Sequence, residues 1–229
     1  MSDFLNQALF GIYPYVCLAV FLLGSLVRFD REQYTWKSDS SQLLRRGQLR
    51  WGSNLFHIGI LLLFFGHLFG LLTPHSVYTA LGVSPGAKQV LAMTSGGILG
   101  AMILVGLLIL LHRRLTLVRV RATSTRMDIF ILLWILVTVS LGLVSIFFSA
   151  QHLDGSTMLL LADWAQHIVT FRGGAAAFLA GVPIIFKIHL FFGMTLFLLF
   201  PFSRLVHVWS GFASVAYLSR AYQIVRSRG

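Results

Sequence analysis

A chain of 229 residues that is 57% hydrophobic and only 11% charged lies outside the composition of soluble domains and reads as an integral membrane protein. Its net charge of +11 then reflects anionic headgroups and topology, because no separate soluble domain is present to bind nucleic acid. The single cysteine, Cys17, excludes a disulfide framework, a cysteine-held iron–sulfur cluster and a thioether-linked haem, and no Gly-rich phosphate loop or dinucleotide fingerprint points to nucleotide chemistry.

A hydrocarbon core about 30 Å thick needs roughly 20 apolar residues per helix. Five stretches qualify, at 6–28, 51–72, 89–112, 127–149 and 183–208, predicting an all-α, five-helix transmembrane bundle forming one domain over 1–229. The first stretch has no basic residue before it and no small-residue cleavage site after it, so it is expected to stay as an anchor. Orientation follows from charge, since Lys and Arg collect on the cytoplasmic side of short loops. Arg28, Arg31, Lys37, Arg45, Arg46 and Arg50 lie between the first two spans. Arg113, Arg114, Arg119, Arg121 and Arg126 lie between the third and fourth, and Arg204, Arg220, Arg226 and Arg228 follow the fifth. The other side carries only Lys88, Arg172 and Lys187, so the N-terminus is expected outside and the C-terminus in the cytoplasm.

The second span contains His57 and His67, and the fifth contains His189 and His207. Ionisable groups in a bilayer cost on the order of 3 kcal/mol each when charged, so each suggests a function. At about 100° per residue, His67 stands roughly 80° from His57, and His207 returns to the azimuth of His189. The two spans run antiparallel, which sets His57 level with His207 toward the cytoplasm and His67 level with His189 toward the outside. Two facing neutral imidazoles make an axial pair for a haem iron, here non-covalent and b-type. The axial separations differ, about 15 Å on the second span and about 27 Å on the fifth, and Pro201 is expected to bend the fifth because it cannot donate to the Phe197 carbonyl. A histidine in a span also serves simply as a packing residue. Zinc or copper would bring carboxylates, thiolates or tighter spacing, and neither span holds Asp, Glu or Cys, so haem fits better.

Other positions are less specific. Gly52, Gly59 and Gly66 recur every seven residues opposite His57, as for a close helix contact. Arg113, Arg114 and Arg204 sit where guanidiniums can hold haem propionates, with positive-inside anchoring an equal reading. His112 is expected at an interface, and His75, His152 and His167 in outer loops with solvated roles; Trp36, Trp51, Trp164 and Trp209 fit interfacial belts. Lys88, the only basic residue of "TPHSVYTALGVSPGAKQV", lies on the side of His67, where its ammonium can bind a quinone oxygen or a propionate or simply snorkel.

The stretches "IYPY", "RFDREQYTW", "SNLFHIGILLLFFGHLFGLLTPH", "VRVRATSTRMDI", "FSAQHLDG", "WAQHIVTFRGGAA" and "HLFFGMTLFLLFPFSRLVHVWS", collinear over nearly the whole chain, resemble the gamma subunit of respiratory nitrate reductases, a di-haem cytochrome b that anchors molybdenum and iron–sulfur subunits. The resemblance implies that His57 and His207 ligate the inner haem and His67 and His189 the outer one, and that Lys88 takes the place of a lysine linked to the family's quinol site. It implies quinol oxidation at the outer face of the cytoplasmic membrane, with electrons passing inward through two haems to a cytoplasmic iron–sulfur partner and protons released outside. Inward electron flow works against an inside-negative potential at about 2.3 kcal/mol per charge per 100 mV. Nitrate reduction itself then belongs to the molybdenum partner, docked on the basic inner loops and the tail "YLSRAYQIVRSRG". Two readings compete with this one: a cytochrome b of a sulfur-metabolising complex, and a five-span transporter or assembly factor whose histidines bind metal or relay protons.

Overall fold

The computed structural model describes residues 2–32, 46–151 and 153–210; Trp36, His152 and the basic tail lie outside them. Among the described residues five helices are long and apolar enough to cross a membrane: Asp3–Arg31, Leu49–Leu72, Pro85–Thr116, Arg126–Ser149 and Ile184–Phe202. The first is assembled from α1 (Asp3–Gln7), a π-turn (Ala8–Ile12) and α2 (Tyr13–Arg31). Then come α3 (Arg46–Leu72), α4 (His75–Ala80), α5 (Pro85–Thr116), α6 (Val118–Ala122) and α7 (Arg126–Ser149). Helix α8 (Ser156–Val169), a 3₁₀ turn (Ala175–Leu179) and α9 (Ile184–Leu199) complete the bundle, and two 3₁₀ turns (Phe200–Phe202, Arg204–Val206) follow.

The ends of the spans are written locally. Ser84 caps α5 by accepting from the Ala87 N–H at 3.2 Å, with Pro85 preset in the first turn. At the start of α7, Thr125 and Asp128 form a reciprocal capping box. The fifth span departs from the expected 183–208 helix. Pro201 has no N–H, so α9 stops at Leu199 and the Phe200 N–H turns back to the Phe197 carbonyl. Ser203 is extended, at φ −122° and ψ 177°, and takes the chain off the helix axis before His207. Arg28 bridges the break, its Nη1 donating to the Pro201 carbonyl at 2.7 Å and the Ser203 carbonyl at 2.9 Å.

Helix α3 packs along α5, α5 along α7, α7 along α9, and α9 along α2. Gly52 and Gly59 make the first contact close: a Cβ on Gly59 would stand 2.6 Å from Ile103 Cγ1, and one on Gly106 would stand 2.9 Å from the Gly52 carbonyl. Gly66 does not belong to that contact, since nothing lies within 4 Å of its Cβ position. Ile103, Leu107, Ile131, Ile135 and Val139 bury the α5–α7 seam. A second core gathers Phe10, Trp164, Ile168, Leu179 and Phe186 under the connection between the fourth and fifth spans. That connection, expected as outer loop, folds because α8 is amphipathic but, at 14 residues, too short to span. Trp164 is therefore no interfacial belt residue: it is 2% exposed, and its indole N–H donates to the Phe10 carbonyl in the π-turn at 2.9 Å.

Candidate functional site

The four span histidines meet in two pairs. The rings of His57 and His207 have centroids 6.0 Å apart and planes at 71°; those of His67 and His189 are 6.3 Å apart at 47°. These are the pairs that antiparallel depth requires. The break at Pro201 removes the mismatch in axial rise, because the chain no longer climbs helically between Leu199 and His207.

Every one of the four rings donates its Nδ1–H to a main-chain carbonyl. His57 donates to Ser53 at 2.7 Å and His67 to Leu63 at 2.9 Å, each one turn back, where helical side chains lean. His189 reaches across to Thr138 of α7 at 3.0 Å, and His207 bonds Arg204. A carbonyl only accepts, so Nδ1 carries the proton and Nε2 keeps its lone pair, the tautomer a metal-binding imidazole needs. Around His189 the fit is tight: a Cβ on Gly142 would stand 2.9 Å from its Cε1. Thr138 in turn donates to the Trp134 carbonyl at 2.8 Å, and Trp134 Nε1 donates to the Phe192 carbonyl at 3.1 Å, locking α7 to α9.

An iron binding two imidazoles at about 2.0 Å each holds their centroids about 6.3 Å apart, whatever the rotation of each ring about the common axis. The two measured separations match that spacing. Among the described residues no three of His, Cys, Asp and Glu converge as a metal cluster would require. Two protein ligands per site suit a porphyrin iron, which brings four nitrogens of its own, better than zinc.

Lys88 lies at the other end of α5 from the arginines. With Gly59 against Ile103 and Gly106 against Phe56, the antiparallel register sets His67 level with Ser95, so Lys88 sits about 10 Å further along the axis. Among the described residues its Nζ is buried without a hydrogen-bond partner and rests 3.9 Å from the centroid of the Tyr78 ring, a cation–π contact. The Tyr78 hydroxyl is likewise buried and unpartnered; burial, and then the Asp163 carboxylate, push its pKa up, so it stays a protonated donor. Tyr78 was not singled out in the sequence, where it is one aromatic in a short loop. His75 stacks edge-on to it at 5.0 Å, and His167 is half-buried in α8 against Phe178, not a solvated loop residue.

At the opposite end, Arg113 is 3% exposed. Arg114 Nη1 lies 3.2 Å from Asp128 Oδ2, and Arg204 Nε bonds Asp128 Oδ1. Asp128, 5% exposed, was missed in the sequence. Its signal was there, in the Thr125-x-x-Asp128 spacing of a capping box placed among basic loops.

Over residues 6–228 the sequence matches the family of nitrate reductase gamma subunits. The chain belongs to that family. It is 57% identical over all of both chains to the respiratory nitrate reductase 2 gamma chain of Escherichia coli strain K12, and 55% identical over 99% of each to the respiratory nitrate reductase 1 gamma chain of the same strain. The nitrate reductase gamma chain of Bacillus subtilis strain 168 is 37% identical, with 97% of this chain and 99% of that one covered. A gamma subunit is one chain of a larger oxidoreductase, and this gamma-family chain is a multi-pass membrane protein with five candidate spans.

Proposed function

We propose that this chain is the quinol-oxidising, di-haem b membrane subunit of a respiratory nitrate reductase. The observation that carries the reading is the pairing of four Nδ1-anchored imidazoles at 6.0 and 6.3 Å on facing spans. His57 and His207 are the ligand pair at the cytoplasmic end, His67 and His189 the pair at the outer end, and Arg113, Arg114 and Arg204 the propionate-binding candidates at the inner one. Haem in these two positions supplies one-electron transfer across the bilayer, from quinol outside to a cytoplasmic iron–sulfur partner.

The protein's own part is positional and electrostatic. The backbone carbonyls fix each ring's tautomer and heading, and the apolar spans keep water from the path. Lys88, whose buried ammonium rests on the Tyr78 ring and has no hydrogen-bond partner among the described residues, offers a donor for a quinol oxygen at the outer end. A cation there favours the quinolate over the quinol, which eases loss of the first proton outward. The basic inner side, rich in arginine, is the docking face for the iron–sulfur and molybdenum subunits in the inner membrane of the cell. Family membership favours nitrate over the sulfur-metabolising alternative, and the ring pairing favours haem over transport.

The test uses the assembled complex. His67→Ala or His189→Ala should abolish turnover driven by a quinol analogue while an artificial dye that reduces the soluble subunits still supports nitrate reduction. Undiminished quinol-driven turnover in either variant would overturn the assignment.

A further inference from the structure

Three of the paired histidines sit inside continuous helices, His57 and His67 in α3 and His189 in α9. His207 does not. It opens a short helical stretch, 207–210, reached through the break at Pro201, an extended Ser203 and a three-residue 3₁₀ turn, a connection with no continuous helical ladder from α9 to set its course. A ligand held on such a segment depends on side-chain ties for its position.

The ties can be followed. Arg28 fixes the upstream end at the Pro201 and Ser203 carbonyls, and Ser203 Oγ accepts from the Leu205 N–H at 3.2 Å. The tie next to His207 is Arg204, whose carbonyl accepts the His207 Nδ1–H and whose guanidinium binds Asp128. Asp128 is itself immobilised. Its Oδ2 accepts from the Thr125 N–H at 2.9 Å, its own N–H donates to Thr125 Oγ1 at 3.2 Å, and Arg114 of α5 approaches the same carboxylate.

We propose that Asp128 is a positioning residue for the inner-end ligand pair, setting the plane and heading of the His207 imidazole through Arg204. The inference rests on the reading that His207 ligates an iron. One buried carboxylate joins the start of α7, the end of α5 and the irregular segment that leads to the ligand. Remove its charge, and Arg114 and Arg204, both drawn to that one carboxylate, lose their shared anion in a low-dielectric setting. Arg204 then swings away, and its carbonyl carries the His207 ring with it.

In the purified full complex, Asp128→Asn keeps the side-chain size and loses the charge. The expected result is two haems retained, a shift in the low-spin electron paramagnetic resonance signal and the midpoint potential of the inner haem, and an unmoved outer haem. Asp128→Glu, which restores a carboxylate, should bring the inner signal back toward the wild-type position. Should Asp128→Asn fail to assemble, Arg204→Lys keeps the charge, loses the Nε contact and is expected to move the inner signal alone. An assembled Asp128→Asn complex with an unshifted inner signal, or equal shifts at both haems, overturns the inference. His207→Ala separates the two failures: if it keeps both haems, the ligand reading itself is wrong, whereas loss of one haem beside a silent Asp128→Asn overturns only the role of Asp128.

Discussion

Replacing Gly142 by alanine should expel the outer-end group without unfolding the bundle. The added Cβ would stand 2.9 Å from His189 Cε1, 3.4 Å from Nε2 and 3.5 Å from Nδ1, whereas carbon–carbon contacts settle at about 3.5–4.0 Å. The ring must therefore retreat by about 0.6 Å or more. Its Nδ1–H bond to the Thr138 carbonyl spans 3.0 Å, and a retreat of that size along it or away from it takes the contact out of useful hydrogen-bonding geometry. Losing that bond costs about 1 kcal/mol and overpacking about 1–3 kcal/mol more, enough to disorder one ligand but small against the stability of a five-span bundle. The assay is the dithionite-reduced minus oxidised spectrum of the assembled complex, quantified per chain. One haem should remain, with dye-driven nitrate reduction intact and quinol-driven turnover lost. Gly97→Ala is the control, because its Cβ would meet only Ile146 Cδ1, at 3.7 Å, and should change nothing. Two unperturbed haems in Gly142→Ala would refute the reasoning.

His57→Ala should remove the other haem and leave a complex whose outer haem is still reduced by a quinol analogue; loss of both haems in an assembled complex would contradict independent pairs. Lys88→Ala should weaken binding of a quinol-site inhibitor with both haems retained, and unchanged inhibitor affinity would leave Lys88 a structural lysine. Tyr78→Leu should reproduce part of that weakening, roughly threefold or more for a lost cation–π contact, and Tyr78→Phe, which keeps the ring, should not; equal affinities in the two variants would count against the contact. Trp164→Phe deletes a buried hydrogen bond to the Phe10 carbonyl and should lower stability by about 1–2 kcal/mol, read as a lower unfolding temperature in detergent, with an unchanged midpoint contradicting the bond.

The spans were legible because a bilayer imposes one requirement, a run of apolar residues long enough to cross it, and the helices begin and end within a few residues of the expected boundaries except at the end of the fifth, where α9 stops at Leu199 and not at 208. The histidine pairs were legible for the same reason: an imidazole in hydrocarbon stands out, and antiparallel spans dictate which two share a depth. Positions set by tertiary contacts were not. Trp164 reads as an interfacial aromatic until α8 folds over the π-turn and buries it. Pro201 announced a bend, but where the chain goes after it depends on Arg28 and Asp128, which lie 173 and 76 residues away in sequence from the groups they bind. Asp128 was hidden among basic residues, its pairing with Arg114 and Arg204 visible only once three separate segments converge. Tyr78 became a candidate only when its ring was found under the Lys88 ammonium.

Haem iron held between α3 and the segments from α9 onward is the central claim. The most direct measurement is a pyridine haemochrome assay and reduced-minus-oxidised spectrum on the purified subunit in its complex, with His57→Ala and His189→Ala run beside it. Two b-type haems per chain, falling to one in each variant, is the expected result. A chain without haem, or with a haem content indifferent to these histidines, would contradict it.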